Sequence, residues 1–240
     1  MSVLCILQAR VSSTRLPGKV LMPILGEPML ARQIERIARA ERVDALTVAT
    51  SDQPSDDGVA GLCERLGVDC YRGSLDDVLD RFYQAAQRSG PSHVMRLTGD
   101  CPLTDPAILD ALVELHLAGD FDYSSNVEVR TYPVGLDAEI FRYELLGRAW
   151  REATSPYDRE HVTPFMQQGG PGSRHGVLKD RIDRSNLRWT VDFAEDFAFV
   201  ARVFEELYPS DPGFGAEDVH RLLLDHPEIA ALNADRVSPS

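Results

Sequence analysis

The chain has 240 residues, 43% of them hydrophobic, and carries a formal net charge of −13. This length can bury a full core within one domain, whereas the acidity disfavours general nucleic-acid binding, which needs a basic face. No window approaches about 18 uninterrupted apolar residues, and no basic segment precedes the first apolar run, so we expect neither a membrane span nor a signal peptide.

Apolar runs alternate with helical patterns, which predicts an α/β, Rossmann-like fold with a mostly parallel sheet and flanking helices. Asp105 followed by Pro106 marks a helix start, because the carboxylate can cap the first turn. The predicted strands are residues 3–7, 45–49, 68–71, 93–97 and 187–191, and the predicted helices are residues 29–40, 59–66, 77–87, 108–117, 195–207 and 216–224.

The stretch 124–183 breaks this rhythm with turn residues, short strands and two predicted helices. We interpret it as an elaboration on the sheet within a single domain of residues 1–234, followed by a flexible tail at 235–240. The four cysteines show neither a Cys-x-x-Cys pair nor zinc-finger spacing. We therefore expect buried thiols in a reducing cytosol.

The most informative stretch follows the first predicted strand. Arg10, Arg15 and Lys19 lie in a loop that contains three hydroxyl side chains and no acidic residue. Guanidinium groups donate parallel hydrogen bonds to phosphate oxygens, and ligands of open α/β sheets bind beyond the carboxyl ends of the strands. The loop therefore predicts a triphosphate site, with a solvated basic turn as the alternative. Dinucleotide-binding and P-loop glycine motifs are absent, which argues against NAD binding and a P-loop ATPase.

Two aspartates follow apolar segments, where the carboxyl edge of the sheet is expected. Asp100 comes after the strand at 93–97, and Asp192 lies between an apolar run and a helix. Mg2+ binds one or two carboxylates together with waters and phosphate oxygens, so the pair predicts a metal site. Alternatively, Asp100 closes a Gly-Asp turn, and Asp192 caps the helix with Glu195 completing a capping box. Asp196 is the other candidate for the second metal ligand.

Three further polar segments are candidates for substrate contacts. Arg72 and Ser74 end the third predicted strand, where they either contact a base or ribose or form an ordinary turn and helix cap. The segments 135–139 and 159–164 interrupt structural patterns and are candidates for a second-substrate pocket. Within the latter, a histidine such as His161 is more often structural than catalytic.

Five sequence blocks together resemble the sugar cytidylyltransferases, in particular the spore coat polysaccharide biosynthesis protein F branch, which is related to CMP-KDO synthetase and acylneuraminate cytidylyltransferase. The blocks are residues 9–19, 97–103, 135–139, 160–164 and 191–196. The resemblance implies catalytic roles for Arg10, Arg15, Lys19 and Asp100, and metal binding by Asp100 and Asp192. It implies nucleotide contacts from Ala9, Arg10, Ser13, Thr14, Arg15, Lys19, Arg72, Ser74, Thr98 and Gly99, and sugar contacts from Gly135, Asp137, Glu139, Glu160 and His161.

The resemblance also implies a nucleotide-diphospho-sugar transferase fold, CTP and a sugar as substrates, a Mg2+ requirement and a homodimer. The expected reaction moves CMP from CTP to an acidic keto-sugar and releases pyrophosphate, in the cytoplasm, for surface polysaccharide or glycan biosynthesis. A guanylyl- or uridylyltransferase acting on a sugar phosphate, a glycosyltransferase of similar fold and a non-catalytic sugar-nucleotide binding subunit are the alternatives.

Overall fold

The structure is a computed structural model that describes residues 1–170 and 172–236. The strands in this part of the chain are β1 (Val3–Gln8), β2 (Pro23–Ile24), β3 (Glu27–Pro28), β4 (Ala45–Ser51), β5 (Asp69–Gly73), β6 (His93–Thr98), β7 (Tyr123–Ser125), β8 (Glu139–Arg142) and β9 (His175–Val177). Seven of them form one sheet in the order β5-β4-β1-β6-β8-β7-β9, and β2 pairs with β3.

The helices of the described residues lie between and after these strands. They are α1 (Met29–Ile37), α2 (Asp57–Leu66), α3 (Val78–Gln87), α4 (Pro106–Ala118), α5 (Tyr143–Glu152), α6 (Pro156–His161), α7 (Pro164–Gln168), α8 (Ala194–Leu207), α9 (Ala216–Asp225) and α10 (Pro227–Ala230). The predicted cap of α4 is present, since the Asp105 side chain accepts a hydrogen bond from the Ala107 N–H.

Four parallel strands, β5, β4, β1 and β6, form one half of the sheet and confirm the predicted fold class. Residues 3–7 of the central strand β1 are all buried, as expected for a strand covered on both faces. Parallel strands end at a common edge, so Gln8 at the end of β1 lies beside Thr98 at the end of β6. This edge carries the functional groups described below.

The other half of the sheet contains an antiparallel insertion. Strand β8 lies between β6 and β7 and is antiparallel to both, which places Glu139 opposite Arg96. The segment 124–183 thus adds β8 and β9 to the main sheet, while its interpretation as part of one domain of residues 1–234 stays a prediction. The tail predicted at 235–240 begins in a 3-10 turn, Ala234–Arg236, and residues 237–240 lie outside the described residues.

The strand predicted at 187–191 is wrong. Arg188 forms an isolated bridge with Val134, and the Trp189 N–H donates to the Val134 carbonyl over 2.6 Å. The Val191 N–H donates to the Asp100 carbonyl over 2.8 Å. The segment has an apolar, strand-like sequence, and its Trp189 and Val191 side chains are buried. Its backbone hydrogen bonds, however, go to loops instead of a neighbouring strand. The same route brings the following residue, 192, close to Asp100.

Two hydrophobic clusters cover the two faces of the sheet. Alternate residues of β1 point to opposite faces, so Cys5 and Leu7 join one cluster and Leu4 and Ile6 join the other. The first cluster includes residues of α1, α2, α4 and α8, and the second includes residues of α3 and α5. No helix within residues 1–170 and 172–236 is long and apolar enough to cross a membrane.

Candidate active site

The loop after β1 is closed and anchored by backbone hydrogen bonds. The Val11 N–H donates to Asp56 Oδ1 over 2.7 Å, and Asp56 is fully buried. The Gly18 N–H donates to the Val11 carbonyl over 3.0 Å. Gly18 has φ of 75°, a conformation that favours glycine. The loop therefore projects from a fixed base and returns the chain to Lys19. Sequence reasoning missed Asp56, whose partner in the loop is distant along the chain.

Lys19 connects this loop to both predicted aspartates. Its side chain is 8% exposed, and Nζ lies 3.1 Å from Asp192 Oδ1 and 3.5 Å from Asp100 Oδ2. Nζ also donates to the Val191 carbonyl over 2.5 Å. A single buried ammonium group thus lies between two carboxylates that are far apart in the sequence. The convergence of the basic loop with Asp100 and Asp192 is present.

Asp192 receives cations on both of its oxygens. Arg15 Nη2 lies 2.7 Å from Oδ1, and Arg188 Nη2 lies 2.9 Å from Oδ2. Burial alone would raise the pKa of Asp192, but Lys19, Arg188 and Arg15 outweigh it and hold the pKa below its ordinary value. Asp192 is therefore a carboxylate at neutral pH. Sequence reasoning missed Arg188 as a partner of Asp192, because it lies in the segment predicted as an ordinary strand.

Asp196 performs the capping role that was the alternative for Asp192. Helix α8 begins at Ala194, and Asp196 Oδ2 accepts hydrogen bonds from the N–H groups of Asp192 and Phe193, each over 3.0 Å. Asn233 Nδ2 donates to Asp196 Oδ1 over 3.1 Å, and Asp196 is fully buried. The capping alternative for Asp192 is therefore wrong, because Asp192 precedes the helix and faces the cleft.

These groups line one cleft of about 210 Å³. Gly99 and Ala9 form its floor, where the Gly99 N–H donates to the Gln8 carbonyl over 2.8 Å. A Cβ at Gly99 would lie 3.0 Å from Ala9 Cβ, so glycine permits the close approach of the two strand ends. The lining includes these predicted site residues: Ala9, Arg10, Ser13, Thr14, Arg15, Lys19, Thr98, Gly99, Asp100 and Asp192.

Arg10 joins this cleft to a second cavity. Its side chain is exposed, and it forms no hydrogen bond or ion pair with any residue that the structure describes. The neighbouring cavity, of about 360 Å³, is lined by Arg10, Asp76 and Glu160 among others. Glu160 therefore lies on this side of the cleft, apart from the cavity that contains other predicted sugar-binding residues.

Arg72 and Ser74 lie outside the residues that line the cleft. Arg72 Nη1 pairs with Asp57 at 2.7 Å, and its other nitrogens donate to the carbonyls of Ser51 and Gln53. Ser74 Oγ accepts a hydrogen bond from the Asp77 N–H over 3.0 Å. These contacts match the turn and helix-cap alternative, and a contact of Arg72 or Ser74 with nucleotide stays a prediction.

A third cavity, of about 350 Å³, adjoins the cleft and shares Thr98 with it. Asp137, Glu139 and His161 line this cavity together with two arginines that the sequence reasoning missed, Arg96 and Arg130. The charge of Arg96 within an apolar strand was the available signal, since a buried charge requires a partner.

Gly135, the remaining predicted sugar residue, packs against the segment that leads to Asp192. It has φ of 111°, and a Cβ there would lie 2.4 Å from Thr190 N and 2.5 Å from Trp189 C. This contact requires glycine for steric reasons. A direct contact between Gly135 and a sugar stays a prediction.

The donor set of the cleft fits a hard divalent cation. Asp100 has a side chain that is 31% exposed, and Asp192 lies across Lys19 from it. The described residues contain no group of three or more His, Cys, Asp or Glu side chains that could hold a metal alone. Two carboxylates beside a basic loop instead suit Mg2+, which takes few protein ligands and completes its shell with water and phosphate oxygens.

The fold and the site together define a class: an α/β protein with a cleft that combines a basic loop and a pair of carboxylates, at the carboxyl edge of its parallel strands. Open α/β sheets bind their ligands at this edge.

Comparison with known proteins identifies the family within this class. The family model described as cytidylyltransferase matches residues 4–171, and the chain belongs to this family. Spore coat polysaccharide biosynthesis protein SpsF of Bacillus subtilis is 32% identical over 95% of this chain and 96% of its own. A solved cytidylyltransferase from Leptospira borgpetersenii is 31% identical, with a TM-score of 0.91 over 96% of this chain and 97% of its own.

A 3-deoxy-manno-octulosonate cytidylyltransferase of Geobacter sulfurreducens is also similar. It is 36% identical over 113 residues, which are 47% of this chain and 44% of that protein. These relatives and the family match confirm the predicted resemblance to sugar cytidylyltransferases.

Proposed function

We propose that the protein transfers CMP from CTP to a hydroxyl group of a sugar and releases pyrophosphate. The observation that carries the proposal is the cleft in which Lys19 joins the basic loop to Asp100 and Asp192. Nucleotidyl transfer asks a protein mainly to align the reactants and to neutralise phosphate charge. This cleft brings cations and carboxylate oxygens together within about 210 Å³.

The exposed cations act on the triphosphate. Arg10 has no partner among the described residues, and Arg15 is 54% exposed while it rests on Asp192. Both guanidinium groups are therefore free to move onto phosphate oxygens. Lys19 is buried and fixed, so it neutralises charge at one position in the cleft. The sugar hydroxyl attacks the α-phosphorus in line and loses its proton to solvent, the bond from that phosphorus to the bridging oxygen breaks, and pyrophosphate leaves.

Asp100 and Asp192 would hold Mg2+. When bound, the ion neutralises phosphate charge and orients the leaving group. The chain's own contribution is to keep Asp192 ionised through Lys19 and Arg188 and to keep both carboxylates beside Lys19.

The acceptor is an acidic keto-sugar that enters the cavity of about 350 Å³ next to the cleft. This cavity shares Thr98 with the cleft, so an acceptor there lies beside the triphosphate. Arginine side chains in its lining suit a carboxylate. The name of the Geobacter relative specifies a sugar acid, and that of the Bacillus relative specifies polysaccharide biosynthesis. We assign the product to surface polysaccharide or glycan biosynthesis in the cytoplasm.

The test is pyrophosphate release measured with each of the four ribonucleoside triphosphates against sugar acids, sugar phosphates and neutral sugars. CTP with a sugar acid is expected to react in the presence of Mg2+. A preference for GTP or UTP with a sugar phosphate would replace the cytidylyl assignment, and CTP binding with no release for any acceptor would indicate a non-catalytic subunit.

Asp100→Ala separates the metal role from a turn-closing role. It is expected to abolish metal-dependent release and to leave Tm within a few degrees, because the side chain is partly exposed and its ion pair with Lys19 is 3.5 Å long. A large fall in Tm would favour the turn.

We also propose a homodimer, for which light scattering should give twice the 26.7 kDa mass of the chain.

A further inference from the structure

Two arginine–carboxylate ion pairs line the cavity of about 350 Å³. They differ in how many of the arginine nitrogens already have a hydrogen-bond partner. Arg130 faces Asp137, and Arg96 faces Glu139. Arg130 Nη2 donates to Asp137 Oδ2 over 2.9 Å, and Nη1 donates to Oδ1. Both terminal nitrogens of Arg130 are thus held by one carboxylate.

Glu139 has its hydrogen-bonding capacity filled by protein groups. The Tyr123 hydroxyl and Gln167 Nε2 donate to Oε1 over 2.6 and 3.0 Å, and Arg96 Nη1 pairs with Oε2. Glu139 is 4% exposed. Burial would raise its pKa, but Arg96 and Tyr123 outweigh it and lower the pKa. Glu139 is therefore a buried anion that holds Arg96 and has little capacity left for a sugar hydroxyl.

Arg96, in contrast, has hydrogen-bond donors without a partner in the described residues. Only its Nη1 is engaged by a carboxylate in the described residues, and its Nε is buried without a hydrogen-bond partner there. Leaving the buried Nε–H without a partner costs free energy, because this donor has lost its hydration. The side chain is 17% exposed and lines the cavity. Because Nε is buried, the group that a ligand oxygen in the cavity would meet is Nη2, which forms no hydrogen bond within the described residues.

The strand β6 places Arg96 on the side of the cavity that adjoins the cleft. Arg96 lies two residues before Thr98 on β6, so the two side chains share a face of the strand. Thr98 borders both the cleft and the cavity. The antiparallel register of β8 puts Glu139 opposite Arg96 and so fixes the arginine beside the acceptor's entry to the cleft.

We propose that Arg96 binds a carboxylate of the sugar acceptor and that Glu139 is the positioning residue that holds it there. The proposal rests on the proposed transfer to a sugar acid. In this proposal Glu139 acts on the acceptor through Arg96 instead of contacting the sugar directly. The proposal also distinguishes Arg96 from Arg130, whose terminal nitrogens are already taken.

The test uses pyruvate, the smallest molecule with the carboxylate and ketone of a 2-keto-sugar acid, so that no sugar need be known. Inorganic tripolyphosphate occupies the basic loop, and pyruvate binding to the full chain is followed by NMR titration. R96Q is expected to raise the pyruvate Kd by about tenfold to hundredfold, as for loss of a charged hydrogen bond. R202Q is the matched control, because Arg202 is an exposed arginine on α8 paired with Glu205 and Glu206.

Glu139→Gln tests positioning. E139Q is expected to weaken pyruvate binding, and the R96Q/E139Q double variant is expected to bind no worse than R96Q, because the two residues act as one unit. A merely structural role for Glu139 would instead give additive losses. If R96Q does not fold, R96K retains the charge and lacks the planar fork, and intermediate binding is expected.

Three outcomes overturn the inference: no pyruvate binding to the wild type, equal binding by R96Q and R202Q, or Arg96-dependent binding of methyl phosphate with none of pyruvate. CTP binding is measured separately by calorimetry and is expected to be unchanged in R96Q. If the wild type did not bind CTP, the proposed function would be refuted. The pyruvate titration could still be interpreted, because it does not use CTP.

Discussion

Replacing Lys19 by methionine removes the ammonium group and keeps the length and apolar stem of the side chain. Lys19 Nζ lies 3.1 Å from Asp192 Oδ1 and 3.5 Å from Asp100 Oδ2, and the side chain is 8% exposed. At an effective dielectric constant of about 20, each pair corresponds to a gross attraction of about 5 kcal/mol before the cost of desolvation. K19M therefore tests whether this buried group carries both structure and function.

The net loss of stability is smaller than the gross attraction. Removing one partner of a buried ion pair typically costs about 3–5 kcal/mol, because it leaves the other charge uncompensated. Asp192 keeps Arg15 and Arg188 as partners, so we expect the low end of this range. A loss of about 3 kcal/mol corresponds to roughly 6–12 °C in Tm for a chain of this size. Turnover should fall roughly 10²- to 10³-fold, as for loss of a preorganised charged donor.

Calorimetric melting and pyrophosphate release measure the two effects separately. Lys179 is the only other lysine in the sequence and is exposed, so K179M is the matched control and should behave as wild type. If K19M had the same Tm as K179M and turned over CTP normally, the bridging role of Lys19 and the assignment of the loop would both be wrong.

Three further predictions follow from individual contacts. R15Q should raise the nucleotide-free affinity for Mn2+ by about twofold to fivefold, measured by electron paramagnetic resonance, because an exposed ion pair worth about 1 kcal/mol or less no longer occupies the carboxylate of residue 192. Gly135→Ala should lower the free energy of unfolding by about 3 kcal/mol in urea melts, since its Cβ would lie 2.4 Å from the nitrogen of residue 190 at a φ of 111°. Burial lowers the pKa of His116 to about 3. The unfolded chain therefore binds more protons below about pH 6.5, and the free energy of unfolding should fall by up to about 1.4 kcal/mol per pH unit between there and about pH 3.

Each of these predictions has a control within the chain. R10Q removes another exposed cation of the loop, and an equal gain in Mn2+ affinity there would assign the effect to net charge. Gly61→Ala lies in α2 with nothing within 4 Å of the added Cβ, so it should not destabilise. His116→Gln should reduce the pH slope, and His226→Gln, which replaces an exposed histidine in the same way, is its comparison. An unchanged slope in His116→Gln would contradict the assignment.

The fold was largely predictable because its strands are continuous apolar runs. Residues 3–7 are buried on both faces of β1, and that burial is what the sequence pattern encodes. The segment 187–191 has the same apolar pattern, yet its backbone bonds go to loops at Val134 and Asp100. Periodicity reports burial and not the identity of the hydrogen-bond partner, so it could not separate these two cases.

The residues that line the cleft were predictable where they are contiguous and chemically distinctive. Arg10, Arg15 and Lys19 share one loop, and their charge contrasts with the acidic chain. The supporting residues could not be found this way, because Asp56 and Arg188 act through contacts with distant segments. Such pairings exist only after folding, and no local pattern specifies them.

The aspartate network is closed by a residue near the carboxyl end of the described chain. Asn233 donates to both the Arg188 carbonyl and the Asp196 side chain. All three residues lie outside the span of residues 4–171 matched by the family model. During synthesis, the ribosome must therefore translate past residue 233 before Arg188 and Asp196 can acquire this bond. A truncation or domain graft that ends at residue 171 would carry the basic loop with Asp100 but would lose Asp192 together with the residues that hold it in place.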